Sequence, residues 1–445
     1  MIWVITAMGA PGPHWATGEG FRVLDVTKLL CRPEEVAGGL RAGRAVGHGD
    51  RFAEVKRPVV VWNVTRRCNL HCQHCYASAQ SVPHPDELSP GEGLALIREL
   101  ARCQVPALIL SGGDPLLRPD LLELIRCAAE HGIHPALSTN GTLIDAAGAR
   151  DLRAAGVGYL GVSVDGIGRL HDRFRGLRGA WEQALRGLRH CREAGLTVGL
   201  RFTLSRVTLP HLPGVLDLME AEQVHRGYVS HLVSVGRAQG LAGCALSPGE
   251  TRAAVETVLD RAESLDARHV PLHLVTGNSD ADGVLLYLRA RERRPATAGL
   301  VLDLLERRGG NSAGRSIANV DDRGEVHPDQ FWPHHSLGNV RARPFGEIWS
   351  DPAQPLLARL RSRRSHIHGR CAACPFLDIC GGGSRVRAEA LTGDLWASDP
   401  ACYLTDGELG LAAASEESSH APARPTDAGS APAPLPERAS LVSRC

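Results

Sequence analysis

This chain of 445 residues has no excess of either charge: 50 basic side chains stand against 49 acidic ones, a net of +1. That balance removes the electrostatic footprint of a general nucleic-acid binder or of a protein held on an acidic membrane. No apolar run approaches the roughly 18 residues of a membrane span. The first residues, MIWVITAMGAPGPHW, lack a basic leading segment and an A-x-A cleavage site. Neither spanning nor secretion is expected, and the chain is expected in the cytoplasm. Lysine is nearly absent, only Lys28 and Lys56 occurring, which reflects coding bias rather than chemistry. No repeat of solenoid type is present either. What remains is a globular composition, 43% hydrophobic and 22% charged, with apolar material for a sizeable core in about two domains.

Cysteine is not scarce. Thirteen occur, and in a reducing compartment clustered cysteines read as metal ligands or redox groups before disulfides. Cys103, Cys127 and Cys191 fall among apolar residues of predicted helices and read as small core groups. Cys31 ends a short apolar piece and reads as packing.

The periodicity divides the chain. Residues 1–57 form a Gly/Pro-rich lead-in. From 58 to 235 short apolar strands alternate with amphipathic helices: PVVVWNV, ALILSGG, PALSTNG, GYLGVSVDG, TVGLRFTLS and GYVSHLVSVG. Ser89-Pro90-Gly91-Glu92 opens one helix as a capping box with proline at the first turn. Such alternation predicts an α/β fold with a parallel sheet, and six strands fit a partial (β/α)6 barrel of TIM type. Residues 236–310 read as a helical connector. Residues 311–410 form a small cysteine-rich domain that starts with a hairpin-like NVDDRGEVHPDQFW, and 411–445 read as a disordered tail.

The first strand is followed at once by Cys68-x3-Cys72-x2-Cys75, at the strand end where parallel barrels keep their active sites. Three thiolates hold three irons of a [4Fe–4S] cluster and leave one iron open to an exogenous ligand. A zinc ion completed by His71 or His74 is the alternative. Cys371-x2-Cys374-x5-Cys380 with Cys402 supplies four thiolates, a closed set for a structural or electron-relaying cluster, or for a zinc ribbon.

With these motifs in order, the chain resembles the radical S-adenosylmethionine (SAM) enzymes, whose CxxxCxΦC motif carries His74 at Φ. The resemblance implies that Ser111-Gly112-Gly113-Asp114-Pro115 meets the methionine amino group. It also implies that the segments at Ser138-Thr139-Asn140 and Ser163-Val164-Asp165 hold ribose and carboxylate, with Arg175 as a carboxylate partner. The C-terminal cysteines resemble the SPASM extension, whose full pattern has seven cysteines for two auxiliary clusters. Here the family's GxxxxC reaches Asn319 and its CxxxC reaches Ser384, so one auxiliary [4Fe–4S] cluster is expected. Within the family, FRG near Arg175, GGNSAG, GEVHPDQFWPHHSLGNVRARPFGEIW and AEALTGDLWASDPACYLT resemble the tetrapyrrole-modifying branch, the didecarboxysirohaem deacetylases and their sisters in d-type haem synthesis.

That resemblance implies an iron tetrapyrrole substrate and an electron donor such as ferredoxin or flavodoxin. It further implies a 5′-deoxyadenosyl radical that initiates loss of acetate side chains. His327, Asp329, His334, His335 and Arg315 are the candidate substrate contacts, with Arg201, Arg237 and Arg385 as further carboxylate partners. The alternatives are a SPASM peptide-modifying maturase and, more remotely, a non-catalytic iron–sulfur or zinc protein.

Overall fold

The computed structural model describes residues 24–45 and 57–411. The first part of the lead-in, its 46–56 stretch and the tail beyond Leu411 lie outside the described residues. One open sheet of eleven strands organises the molecule. Strand β1 (Leu24–Asp25) leads into the helix Val26–Cys31, which Asp25 caps by accepting from Lys28 N at 2.9 Å. The predicted barrel strands follow as β2 (Val59–Thr65), β3 (Ala107–Gly112), β4 (His134–Thr139), β5 (Tyr159–Ser163), β6 (Val198–Leu204) and β7 (Arg226–His231). All six are parallel and adjacent in chain order. After its first residue β2 is buried throughout, as a parallel strand covered on both faces must be.

The helices between them bury apolar stripes in the same core as the outward strand residues. Leu96, Ile97 and Leu100 join Trp62 and Leu108 there, while Cys127 and Cys191 fill small core positions. Local caps decide where these helices begin. Ser89 and Glu92 make the expected reciprocal capping box at the helix Pro90–Arg102, and Asp145 caps Ala146–Ala155 through Gly148 N at 2.7 Å.

The segment 236–310 carries the helices Pro248–Ala267, Ala281–Arg293 and Pro295–Arg308. It also carries a strand that its helical texture conceals, β8 (His273–Gly277), parallel to β7. On the other side β9 (Ile317–Val320) runs parallel to β2, then turns back as the expected hairpin through β10 (Glu325–His327) to β11 (Gly338–Asn339). The six-stranded barrel is thus widened by one parallel strand at each edge, and β1 caps the β8 edge antiparallel. Because β1 and β11 end the sheet without meeting, the barrel stays open along one side. Among the described residues no helix is long and apolar enough to cross a membrane.

Candidate active site

The loop that leaves β2 is tied down by backbone bonds before any side chain is considered. Cys68 N donates to Gln80 O at 2.7 Å, Gly113 N to Thr65 O at 2.8 Å and Asp114 N to Arg67 O at 2.8 Å. A Cβ at Gly112, which has φ +127°, would collide with Thr65 O, and one at Gly113 with Arg67 O. These glycines therefore let the end of β3 lie against the root of the cysteine loop. Arg237 closes the loop from the other side, donating to Cys72 O at 2.8 Å and to Ala79 O at 2.7 Å. Gly236, at φ +58°, brings that clamp against the Cys75 and Tyr76 carbonyls.

Cys68 and Cys72 are buried and Cys75 half-buried. Their sulfurs are met by hydrogen-bond donors: Leu70 N at 3.4 Å and Asn140 Nδ2 at 3.9 Å for Cys68, Arg175 Nη1 at 3.6 Å for Cys72, Ala79 N at 3.4 Å for Cys75. Burial pushes the Cys68 thiol up to about 12 and raises that of Cys72, against the pull of Arg175. A thiolate here needs a bound cation to compensate, which is what a metal-cluster ligand has.

Asp165 lies at the centre of the support. It is fully buried, with Oδ2 at 2.6 Å from Arg175 Nη2 and 3.1 Å from His74 Nε2, and Oδ1 accepting from Thr203 N at 2.7 Å. Burial works to raise its pKa, but Arg175 and His74 outweigh it and hold the carboxyl below the usual carboxylate range. His74 also stacks on Phe174, ring centroids 4.6 Å apart.

Above the loop and down the bore runs a cavity of about 350 Å³, within the roughly 300–1,000 Å³ of small-molecule pockets. Its width depends on side chains laid sideways into glycine notches. A Cβ at Gly158 would strike the His134 ring, one at Gly199 the Tyr159 hydroxyl, and one at Gly277 the Tyr228 hydroxyl. Arg201 lies over Tyr228 at 5.3 Å and Arg226 over Tyr159 at 5.1 Å. Both arginines line the cavity, and neither forms an ion pair with a carboxylate among the described residues. Cations placed in this way suit a ligand carrying carboxylates.

The sequence-derived SAM set is brought together in large part. His74, Gly112, Gly113, Ser138, Asn140, Ser163 and Arg175 line the cavity. Asp114 and Asp165 do not. Asp114 is fully buried and accepts from Thr139 Oγ1 and Asn140 N at 2.8 Å each and from Leu116 N at 3.1 Å. Its short carboxylate ties the β3 and β4 loops together and is turned away from the cavity lining. Arg175 is committed to Asp165 and Cys72. Of the arginine group, Arg201 and Arg237 reach the cavity. Arg385 is buried against the carbonyls of Gly382, Leu395 and Ala397, and Arg315 donates to Gly309 O at 2.9 Å.

None of the proposed substrate contacts His327, Asp329, His334, His335 and Arg315 lines the cavity; from that stretch Gln330 and Phe331 do. His327 Nδ1 pairs with His335 O at 3.0 Å, while His334 and His335 turn to Glu389. Asp329 accepts from Phe331 N at 2.9 Å, and burial pushes its carboxyl up to about 6. A raised folded pKa means stability present below the unfolded value near 3.9 and lost as pH rises to 6. Asp329→Asn should therefore stabilise the fold at pH 7 by on the order of 2 kcal/mol and flatten the urea midpoint between pH 4 and 6. An unchanged slope would contradict this.

Sequence reading did not single out His231, at the carboxyl end of β7. It borders the cavity, and its Nε2 lies 2.9 Å from the buried Asp282 Oδ2, whose other oxygen accepts from Tyr403 at 2.9 Å. A lone histidine closing an apolar strand was its only signal.

Cys371, Cys374, Cys380 and Cys402 line one small cavity beside the helix Ala281–Arg293. Arg370 Nη1 donates to Cys402 Sγ at 3.2 Å and is itself held by Asp406 at 2.7 Å. Asn319 and Ser384, the two positions expected to lack a cluster-ligating cysteine, carry structural polar groups. Asn319 donates to Val61 O at 2.8 Å, and Ser384 caps the helix Arg385–Thr392. Among the described residues, only His334, His335 and Glu389 bring three donor atoms within 4.8 Å of one another.

An open parallel barrel with three convergent cysteines at its carboxyl end defines a radical SAM enzyme. Residues 62–220 match the model of the Radical SAM superfamily, and the chain belongs to that family, which implies a [4Fe–4S] cluster and SAM. It is 45% identical over 395 residues to the Fe-coproporphyrin III synthase of Methanosarcina barkeri, covering 87% of this chain and 99% of that protein. It is 46% identical to the pre-heme d1 synthase of Dinoroseobacter shibae, over 80% and 88% of the two chains. The crystal structure of Streptococcus suis SuiB bound to S-adenosylmethionine shares the fold, with a TM-score of 0.62 at 17% identity over 83% of this chain and 82% of SuiB.

Proposed function

We propose that this enzyme removes acetate side chains from an iron tetrapyrrole in haem or d-type haem biosynthesis in the cytoplasm, drawing electrons from a ferredoxin or flavodoxin. Cys68, Cys72 and Cys75 would hold the catalytic cluster, and Cys371, Cys374, Cys380 and Cys402 one auxiliary [4Fe–4S] cluster. The observation that carries the reading is the near full-length likeness to the Fe-coproporphyrin III synthase. The cavity adds support: two arginines without acidic partners suit a substrate rich in carboxylates. SuiB, solved with its precursor peptide, resembles this chain at 17% identity, a likeness of fold that does not favour a peptide substrate.

When bound, the open iron and SAM supply a 5′-deoxyadenosyl radical. The chain's own work is geometric. Arg237 and the β3 glycines fix the cysteine loop, while Ser138, Asn140 and Ser163 offer polar contacts to the nucleoside. Arg201 and Arg226 receive carboxylates, and the barrel wall keeps water from the reacting carbon. Anaerobic incubation with didecarboxysirohaem, SAM and reductant, followed by mass spectrometry, is expected to yield a product with the mass of Fe-coproporphyrin III. Formation of 5′-deoxyadenosine with no change in tetrapyrrole mass would overturn the substrate assignment and leave the enzyme class standing.

A further inference from the structure

We propose that His334, His335 and Glu389 form a site for one divalent transition-metal ion, apart from the active site and from both cysteine sets. The two imidazoles converge on one carboxylate, with His334 Nε2 3.1 Å from Glu389 Oε2 and His335 Nε2 2.8 Å from Glu389 Oε1. Neighbouring donors around a four-coordinate ion with bonds of roughly 2.0–2.1 Å lie about 3.3 Å apart, so an ion enters with small side-chain shifts. Supporting bonds already orient the donors. Trp332, itself fully buried, donates its indole N–H to Glu389 Oε2 at 2.7 Å, and His327 Nδ1 fixes the His335 carbonyl at 3.0 Å. Such outer bonds commonly aim metal ligands.

Two nitrogens and a carboxylate select zinc, nickel or cobalt(II) over magnesium, calcium or copper(I). The His334 side chain is 58% exposed, which opens the site to the ion and leaves room for a water as fourth ligand. None of the three residues lines the active-site cavity. Their placement gives the ion a mechanical role. His334 and His335 close the loop whose Gln330 and Phe331 wall the cavity, and Glu389 stands on the helix Arg385–Thr392, just beyond Cys380. A bound ion clasps the cavity wall to the cysteine-rich region.

The test uses protein with both cysteine sets iron-loaded, so that thiolates do not compete, and zinc as the probe. Equilibrium dialysis is expected to find one zinc per chain, and zinc-edge X-ray absorption a shell of nitrogen and oxygen only. His335→Ala and Glu389→Gln should each weaken binding by more than ~100-fold, beyond the roughly 10–100-fold typical of outer-shell partners, with unchanged iron content and circular dichroism. Equal zinc binding by wild type and both variants, or sulfur in the zinc shell, would overturn the site.

Discussion

Cys72→Ser is expected to abolish formation of 5′-deoxyadenosine from SAM under reducing, oxygen-free conditions. Serine preserves the shape of the side chain and the backbone bond from Arg237 to the Cys72 carbonyl, so the change isolates the sulfur. Of the three cysteines this is the one met by the Arg175 guanidinium. Losing one of three thiolates leaves two, too few to anchor a cubane with one open corner. Iron per chain should fall by about four, one [4Fe–4S] unit, and the iron proposed for the C-terminal set should stay. Chromatographic assay of 5′-deoxyadenosine with parallel iron analysis reads both. Retention of SAM cleavage by the serine variant would remove Cys72 from the ligand set.

Asp165→Asn should have the largest effect on stability. The substitution strips the buried Arg175 of its charge partner and His74 of its acceptor. An uncompensated buried charge costs roughly 3–5 kcal/mol, read as a lower urea midpoint under anaerobic conditions. Replacing both partners, Asp165→Asn with Arg175→Met, should recover part of the loss, because the orphaned charge then goes too. The sign with pH is definite. A carboxyl held low in the fold contributes stability above its unfolded pKa, near 3.9, and loses it as pH falls further. The wild type should therefore shed stability below pH 4 more steeply than the asparagine variant. Identical midpoints for the two proteins would show that the pair carries no net stabilisation.

Much of this was legible in the residues. Apolar, β-branched runs located the starts of six strands within a residue, though not all their ends, and Ser89 with Glu92 located a helix start, because these signals are local. Cys68, Cys72 and Cys75 were legible because a strand-end loop at that spacing constrains chemistry directly. What escaped depends on contacts between distant segments. β8 is five residues long and sits between helices, so only its pairing with β7 reveals it. Asp114 falls in a stretch expected to meet ligand, yet its direction is set by Thr139 and Asn140, about 25 positions onward. The stretch from His327 to His335 advertises chemistry by composition, but composition does not say which side chains turn inward. Gln330 and Phe331 did, while His334 and His335 turned to Glu389 on a helix more than fifty residues away.

The tyrosines seated in glycine notches make the bore of this barrel adjustable from its own wall. Gly199 and Gly277 contribute no atoms to the lumen, yet they determine whether Tyr159 and Tyr228 lie flat or stand upright within it. A single added methyl group at either position would overlap a phenol oxygen and force that ring to move. The calibre available to a bulky guest is thus written in residues that never touch it.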